Sequence, residues 1–395
     1  MKPKKFQTGK VSLVAFSHFI HDVYTSFLPP LLPLIIEKLS LTLGQAGLLS
    51  TIMQIPALLN PFIGLFADSK GLARWLVILA PTLTAVPMSL IGVAPSYWIL
   101  LLLLFVAGTS VALYHVPAPV MVSHLAGNRT GRGMSFFMTG GELSRTLGPM
   151  IAVALVSVFG LEGFYPVMIV AVMTSVFLYL TLEPVSKKEK IKKSGSVLSA
   201  FRKVSHIMIP LGGILTARSF MHAAMGVFLS VYIEDKTGSL WYGGAALTLY
   251  EAFGVAGVLS SGTLSDWLGR QRVLFWALAV APVSIFGFIL TTGVFRVFLL
   301  LVAGFTVLST TPVMLAMVQD HAKENPASAN GLFMMISFAV RALAVTAVGF
   351  IGDLAGLDMM FAVSAMIGIL ALPFLLKLKR FETQLEPVAT KGEQG

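Results

Sequence analysis

The chain has 395 residues, of which 56% are hydrophobic and 12% charged; an average soluble domain is roughly 25% charged, so a water-soluble surface cannot be furnished from this stock and lipid is the expected solvent. The net charge of +10 then follows from topology and attraction to anionic headgroups and is no argument for nucleic acid. With no cysteine, disulfides, thiolate metal sites and Cys nucleophiles are excluded.

A hydrocarbon core of about 30 Å takes about 20 apolar residues per helix. In chain order the sequence predicts twelve such spans, at 11–37, 43–67, 75–94, 97–123, 134–160, 163–183, 206–233, 242–266, 273–292, 296–319, 328–352 and 358–377. Lipid offers the backbone no hydrogen bonds, so a spanning segment is a helix or part of a closed barrel. Runs such as Trp98 to Val106 lack the alternation of barrel strands, and the expected fold is an all-α membrane protein.

Lys2, Lys4, Lys5 and Lys10 precede an apolar run longer than a signal-peptide core, with no small-residue cleavage pattern after it; it is expected to stay as the first span. Of the 28 lysines and arginines, three fall on one side (Lys38, Lys236, Arg296) and three inside spans (Arg145, Arg218, Arg341), which leaves 22 on the other. By the positive-inside rule that richer side is cytoplasmic and holds both termini. The expected location is a bacterial or archaeal cytoplasmic (inner) membrane.

The longest polar stretch joins spans six and seven and carries Lys187, Lys188, Lys190, Lys192, Lys193, Arg202 and Lys203. It divides the chain into a six-helix bundle at 1–183, a basic linker at 184–205, a second bundle at 206–380 and a polar tail at 381–395. The halves are related by an internal repeat. Gly64-Leu-Phe-Ala-Asp68-Ser-Lys70-Gly71-Leu-Ala-Arg74 matches Gly262-Thr-Leu-Ser-Asp266-Trp-Leu-Gly269-Arg270-Gln-Arg272, and the two Asp residues lie 198 positions apart. The same offset relates Gly133 to Gly331, and Pro119-Val-Met is echoed by Pro312-Val-Met. Twelve transmembrane helices in two pseudo-symmetric six-helix bundles are implied.

With both copies of a Gly-x-x-x-Asp-x-x-Gly-x-x-basic signature, the chain resembles the major facilitator superfamily over essentially its whole length. A narrower resemblance, to the fosmidomycin-resistance branch of bacterial drug:proton antiporters, rests on His18-x-x-His21-Asp22, Tyr114-His115-Val-Pro117, Gly140-Gly141-Glu142 and Leu147-Gly148-Pro149. In the antiporter motif Ser144 stands where glycine is expected, as does Ala152. The resemblance implies a cytoplasmic gate held through Asp68, with Gly64 and Gly71 in the signature and Arg74 as partner or topology anchor. Asp266, Gly269 and Arg270 repeat it in the second half.

An ionisable group near the bilayer midplane costs about 2.5 to 3.5 kcal/mol on insertion scales and needs a partner, water or a function. His18 and Asp22 are one turn apart on one face of span one, about 15 Å inside the cytoplasmic edge. A carboxylate there can bind and release a proton, because desolvation and nearby cations act on it in opposite directions. A polar residue satisfied by a neighbouring helix is the plainer reading. In span five Gly140, Gly141, Ser144 and Gly148 form a small-residue stripe for close packing, and Glu142 and Arg145 project away from it as a static salt bridge or a cavity-facing pair.

In the second half Arg218 and His222 lie one turn apart on span seven, Glu251 in span eight and Arg341 in span eleven. Asp22, Glu142, Glu251 and His18 are the candidate proton-coupling groups. Arg145, Arg218, His222, Arg341, His115, Tyr114 and His21 are the candidate substrate-binding groups; for Tyr114 an interhelical hydrogen bond is the plainer role. Arginine presents a forked donor to carboxylate or phosphate, yet three acids set against three arginines leave the cavity nearly neutral.

No Walker-type loop, His-Glu-x-x-His or serine nucleophile elbow occurs. The expected protein is therefore no enzyme and carries no cofactor. It is a monomeric secondary transporter driven by a proton gradient, working by alternating access about a midplane site. Protons and a small-molecule substrate are its partners, within membrane lipid. The narrower resemblance implies efflux of small drugs or amphiphilic and anionic compounds, and so antibiotic resistance. Uptake or exchange of an organic anion is an alternative, as is lipid or lysolipid translocation, which 19 Met and 28 Phe permit. An integral-membrane enzyme would need a metal constellation such as His18, His21 and Asp22, and no stoichiometric metal is expected.

Overall fold

Prolines set where the first long apolar run breaks. The computed structural model describes residues 6–60, 62–63, 72–183, 197–321 and 326–378, and no strand occurs among them. Helix α1 spans Thr8–Thr25, and α2 restarts at Leu28–Leu39 with proline in its first turn and Pro33 inside it. Proline lacks an N–H and clashes with the preceding turn, so span one is two helices where the sequence predicts one. Helix α3, Leu43–Gln54, begins on a capping box in which Thr42 and Gln45 bond each other's backbone.

The chain continues through α4 (Ala73–Ser89), α5 (Tyr97–His115), α6 (Pro117–Ala126), α7 (Thr130–Phe159) and α8 (Met168–Thr181). The break before α6 falls at Val116, ahead of Pro117, whose ring cannot continue the preceding turn. Then follow α9 (Val197–Val227), α10 (Leu229–Thr237), α11 (Leu240–Leu268), α12 (Arg270–Leu290), α13 (Gly293–His321), α14 (Pro326–Ala355) and α15 (Leu357–Ile369). The helical run breaks at Phe228, between α9 and α10; no proline marks the break, and hydropathy gives no sign of it.

Among the described residues eight stretches are long and apolar enough to cross a membrane, and a ninth is if α9 and α10 are one span. One of the eight, Tyr97–Phe159, is 63 residues long and holds two predicted spans, joined at the 3-10 turn Gly127–Arg129. The two remaining predicted spans are the shorter apolar helices Leu43–Leu59 and Tyr165–Thr181. Each predicted span therefore has its helix.

Contacts gather the chain into two compact units, Met1–Glu189 with Val227–Thr248, and Lys190–Gly226 with Leu249–Gly395. The first takes in α10 and the start of α11, which the sequence-based division at 183 and 206 assigns to the second bundle. Within the first unit α10 lies on α2, and the space beside Gly244 is filled by Val153 and Met150.

Each unit has its own core. Val14, Val77, Ile78, Tyr114, Met121, Phe137 and Leu178 are among those that close the first; Leu211, Leu215, Leu278, Met314, Met317 and Phe333 are among those that close the second. The repeat extends to packing. A Cβ on Gly108 would collide with the Met53 carbonyl in the first unit, and one on Gly304 with the Tyr250 carbonyl in the second. Small residues at these crossings let backbones approach, which is how helices gain contact where lipid supplies no hydrophobic drive.

Exposed ion pairs fasten the ends of the first unit. Lys10 Nζ donates to Glu183 Oε1 at 2.7 Å; Lys38 Nζ donates to Glu162 Oε1 at 2.5 Å and to the Gly92 carbonyl at 2.6 Å. The Lys38 hydrogen bond and charge hold the Glu162 pKa below the usual carboxylate value.

Candidate functional site

Helix α1 runs along α7, and the glycine stripe of α7 makes that approach possible. A Cβ on Gly140 would strike the Ala15 carbonyl, one on Gly141 would sit 2.6 Å from His18 Cε1, and one on Gly148 would sit 2.6 Å from Ser26 Cβ. The His18 ring is thereby clamped: it stacks on Phe137 with centroids 4.0 Å apart and planes 15° apart. Its Nδ1 is 2.8 Å from the Phe137 carbonyl. A carbonyl only accepts, so Nδ1 carries the hydrogen and Nε2 is turned toward Asp22.

Helix α5 supplies the other wall. His115 Nδ1 lies 3.0 Å from the Val111 carbonyl, which fixes its tautomer in the same way, and its Nε2 lies 3.4 Å from Asp22 Oδ2. His18 Nε2 is 3.1 Å from the same oxygen and 3.2 Å from His115 Nε2. Two ring nitrogens and one carboxylate oxygen thus face one another at nearly equal spacing. His18 and Asp22 are buried, whereas the His115 side chain is 35% exposed and forms the cluster's open side.

The second carboxylate oxygen meets a different partner. His21 Nδ1 is 2.7 Å from Asp22 Oδ1, and His21 stacks on Tyr114 at 4.4 Å. Its Nε2 is 2.9 Å from Thr84 Oγ1. Thr84 donates to Ser110 Oγ at 2.8 Å, and Ser110 donates to the Ala80 carbonyl at 3.1 Å. Thr84 Oγ1 is therefore left to accept from His21 Nε2, and the contact between His21 Nδ1 and Asp22 Oδ1 needs a hydrogen of its own. Among the described residues three histidines, and neither lysine nor arginine, lie within 4.0 Å of the Asp22 carboxylate.

Tyr114, which stacks on His21, has its hydroxyl 2.9 Å from Ser17 Oγ and donates to the Val14 carbonyl at 3.3 Å. Directly after Gly141 in the chain, Glu142 Oε2 stands 3.5 Å from Arg145 Nη1 and makes no hydrogen bond. In the second unit Arg218 Nε donates to the Val307 carbonyl at 3.0 Å, His222 Nδ1 is 3.4 Å from the Tyr250 hydroxyl, Glu251 is buried, and Arg341 is half-buried on α14.

Of the expected gate, Gly64, Asp68 and Gly71 lie outside the described residues. Arg74 donates from Nε to the Leu182 carbonyl at 2.7 Å and from Nη2 to the Tyr179 carbonyl at 3.0 Å, with its guanidinium carbon 5.3 Å from the Trp75 ring centre and 5.5 Å from that of Tyr179. In the repeat Gly269 has φ +91°, a left-handed turn that glycine takes without strain. It brings Arg270 Nη1 to 2.6 Å from Asp266 Oδ1 and Arg270 Nε to 3.3 Å from Asp320 Oδ2.

Sequence reasoning passed over Thr84, Ser110 and Asp320. The first two are single hydroxyls in apolar runs, a weak signal, and Asp320 lies beyond the end of a predicted span.

Residues 14–345 match the family model of the Major Facilitator Superfamily. The chain is 23% identical over 376 residues to the fosmidomycin resistance protein of Escherichia coli, covering 92% of this chain and 91% of that one. It is 25% identical over 380 residues to YfnC, an uncharacterized MFS-type transporter of Bacillus subtilis, covering 92% and 90%. Among solved structures, a bacterial homolog to the human lysosomal transporter Spinster, in an inward-facing and unoccupied conformation, superposes with a TM-score of 0.81 at 15% identity over 97% of this chain and 98% of that one.

Proposed function

The chain belongs to the major facilitator superfamily and is a multi-pass membrane transporter of a small molecule, not an enzyme; from that premise we propose that it is a proton-driven exporter of small drugs or amphiphilic and anionic compounds. It works as a monomer in a bacterial or archaeal inner membrane with both termini cytoplasmic and draws its energy from the proton gradient. The likeness to the fosmidomycin resistance protein supports the direction of transport.

One observation carries the coupling. Asp22 Oδ1 and His21 Nδ1 are 2.7 Å apart, a contact that takes a hydrogen inside a span and, among the described residues, with no arginine or lysine within 4.0 Å of the carboxylate, which supports the reading. A carboxylate paired only with histidines gains and loses a proton without breaking a permanent salt bridge, which Glu142 beside Arg145 does less readily. Loading turns Asp22 from an acceptor into a donor and alters its hold on α5 through His115. That gives the proton a differential interaction with two states, the requirement for any ligand that shifts a conformational equilibrium.

The test is transport in proteoliposomes under an imposed proton gradient, with a pH-sensitive dye and a panel of phosphonates, lipophilic cations and carboxylates. Substrate-evoked proton movement opposite in direction to substrate is the expected result. Substrate exchange with no proton response would overturn the coupling and favour exchange of an organic anion.

A further inference from the structure

We infer that His18, Asp22 and His115 form a binding site for a divalent transition-metal ion of the Zn2+ type. The inference stands on the geometry of Asp22 Oδ2 and does not depend on what drives transport.

The argument begins with lone pairs. His18 Nδ1 and His115 Nδ1 are both committed as donors to backbone carbonyls, Phe137 at 2.8 Å and Val111 at 3.0 Å. In the neutral rings both Nε2 atoms are then acceptors. They face each other at 3.2 Å and face Asp22 Oδ2 at 3.1 and 3.4 Å. Three acceptors turned on one point require positive charge between them.

A proton meets that requirement poorly. One proton bridges one pair of atoms and leaves the third lone pair opposed to both. Two protons make two imidazolium rings with nitrogens 3.2 Å apart, a like-charge contact that disfavours the doubly charged form. A single divalent ion answers all three lone pairs at once.

The dimensions agree with such an ion. Zinc lies about 2.0 to 2.2 Å from imidazole nitrogen and carboxylate oxygen, so neighbouring ligands of a tetrahedral site are about 3.3 Å apart. The three atoms here are separated by 3.1, 3.2 and 3.4 Å. Two imidazoles and a carboxylate suit Zn2+ and its neighbours over Mg2+ or Ca2+, which prefer all-oxygen shells. Each ligand also has an outer partner that aims it: the two carbonyls, and His21 on Asp22 Oδ1 at 2.7 Å. That arrangement is the usual support of a metal-bound histidine. The half-exposed His115 edge gives the ion a way in and leaves a fourth position open.

This departs from the sequence-based expectation of no bound metal, in which the only set considered was His18, His21 and Asp22. His21 instead turns to Thr84 and the other oxygen, and His115 takes its place, a substitution visible only once α1 and α5 are packed together.

The full-length chain, purified in detergent and stripped with a chelator, is titrated with Zn2+ alone by calorimetry and with Co2+ alone by visible absorption. One Zn2+ per chain is expected, with the intense bands of tetrahedral Co2+. Asp22→Asn and His115→Ala are each expected to weaken Zn2+ binding by more than about tenfold, the low end of the effect of losing even an outer partner. His124→Ala, at an exposed position on α6, leaves binding unchanged. Absence of saturable Zn2+ binding at micromolar concentration, or affinity unaltered in His115→Ala, overturns the site. So does a purely octahedral Co2+ spectrum of the unsubstituted protein, a reading that does not depend on how the variants fold. Stoichiometric Zn2+ binding without substrate-evoked proton movement would leave the site standing and remove the proton coupling alone.

Discussion

His21 and Thr84 hold each other across α1 and α4, Nε2 to Oγ1 at 2.9 Å, and through that contact the orientation of Asp22 is fixed from behind. Thr84→Val keeps the shape and deletes the acceptor, stranding a buried N–H, which costs about 1 to 3 kcal/mol. The thermal midpoint in detergent should fall and gradient-driven transport should drop, while Thr84→Ser restores both. Equal loss in the serine variant would show that the methyl group, not the hydroxyl, matters.

Asp22→Asn is expected to abolish substrate-evoked proton movement in proteoliposomes, because an amide cannot take up the proton that Oδ1 holds with His21. Folding should survive, since the amide oxygen still accepts a hydrogen bond. Each hydrogen bond that loses its charged partner is worth about 1.5 to 3 kcal/mol, so some loss of thermal stability accompanies the change. Proton movement at the unsubstituted rate would remove Asp22 from the coupling role.

The twelve spans were legible because hydropathy integrates over twenty residues, and the α1–α7 crossing was foreshadowed by the spacing of Gly140, Gly141, Ser144 and Gly148. The i, i+4 pairing of His18 with Asp22 was legible for the same reason, since it is local. What joins them was not. Whether His115 meets Asp22 depends on the register between α1 and α5, and no pattern within either helix records it. The break at Phe228 escaped too, because hydropathy carries no direction and no proline stands there.

The glycines of α7 separate packing from function. A methyl at position 140 would strike the Ala15 backbone, which cannot step aside, so Gly140→Ala should lower stability by about 1 to 3 kcal/mol, the range for overpacking. A methyl at 141 meets the His18 ring, which can rotate off Phe137. Gly141→Ala should therefore lose less stability than Gly140→Ala and more of its transport, measured by melting and proteoliposome flux on the same preparations. The reverse order would mean that the His18 ring position has no bearing on transport.

The pH dependence of the fold's outer fastening has a definite sign. Glu162 is held below its usual carboxylate pKa by the Lys38 hydrogen bond and charge, so the folded state favours the ionised form. Its contribution is present above the unfolded-state carboxylate pKa and is lost as pH falls through the lower folded value. The pair is exposed, 72% on the Glu162 side, and salt screens such pairs. Glu162→Gln should therefore lower the thermal midpoint slightly at neutral pH and low salt, and the difference from the unsubstituted protein should shrink both in high salt and as the pH is taken below the carboxylate range. A difference that persisted under acid would mean that the glutamate side chain, and not its charge, ties α2 to the connection between α7 and α8.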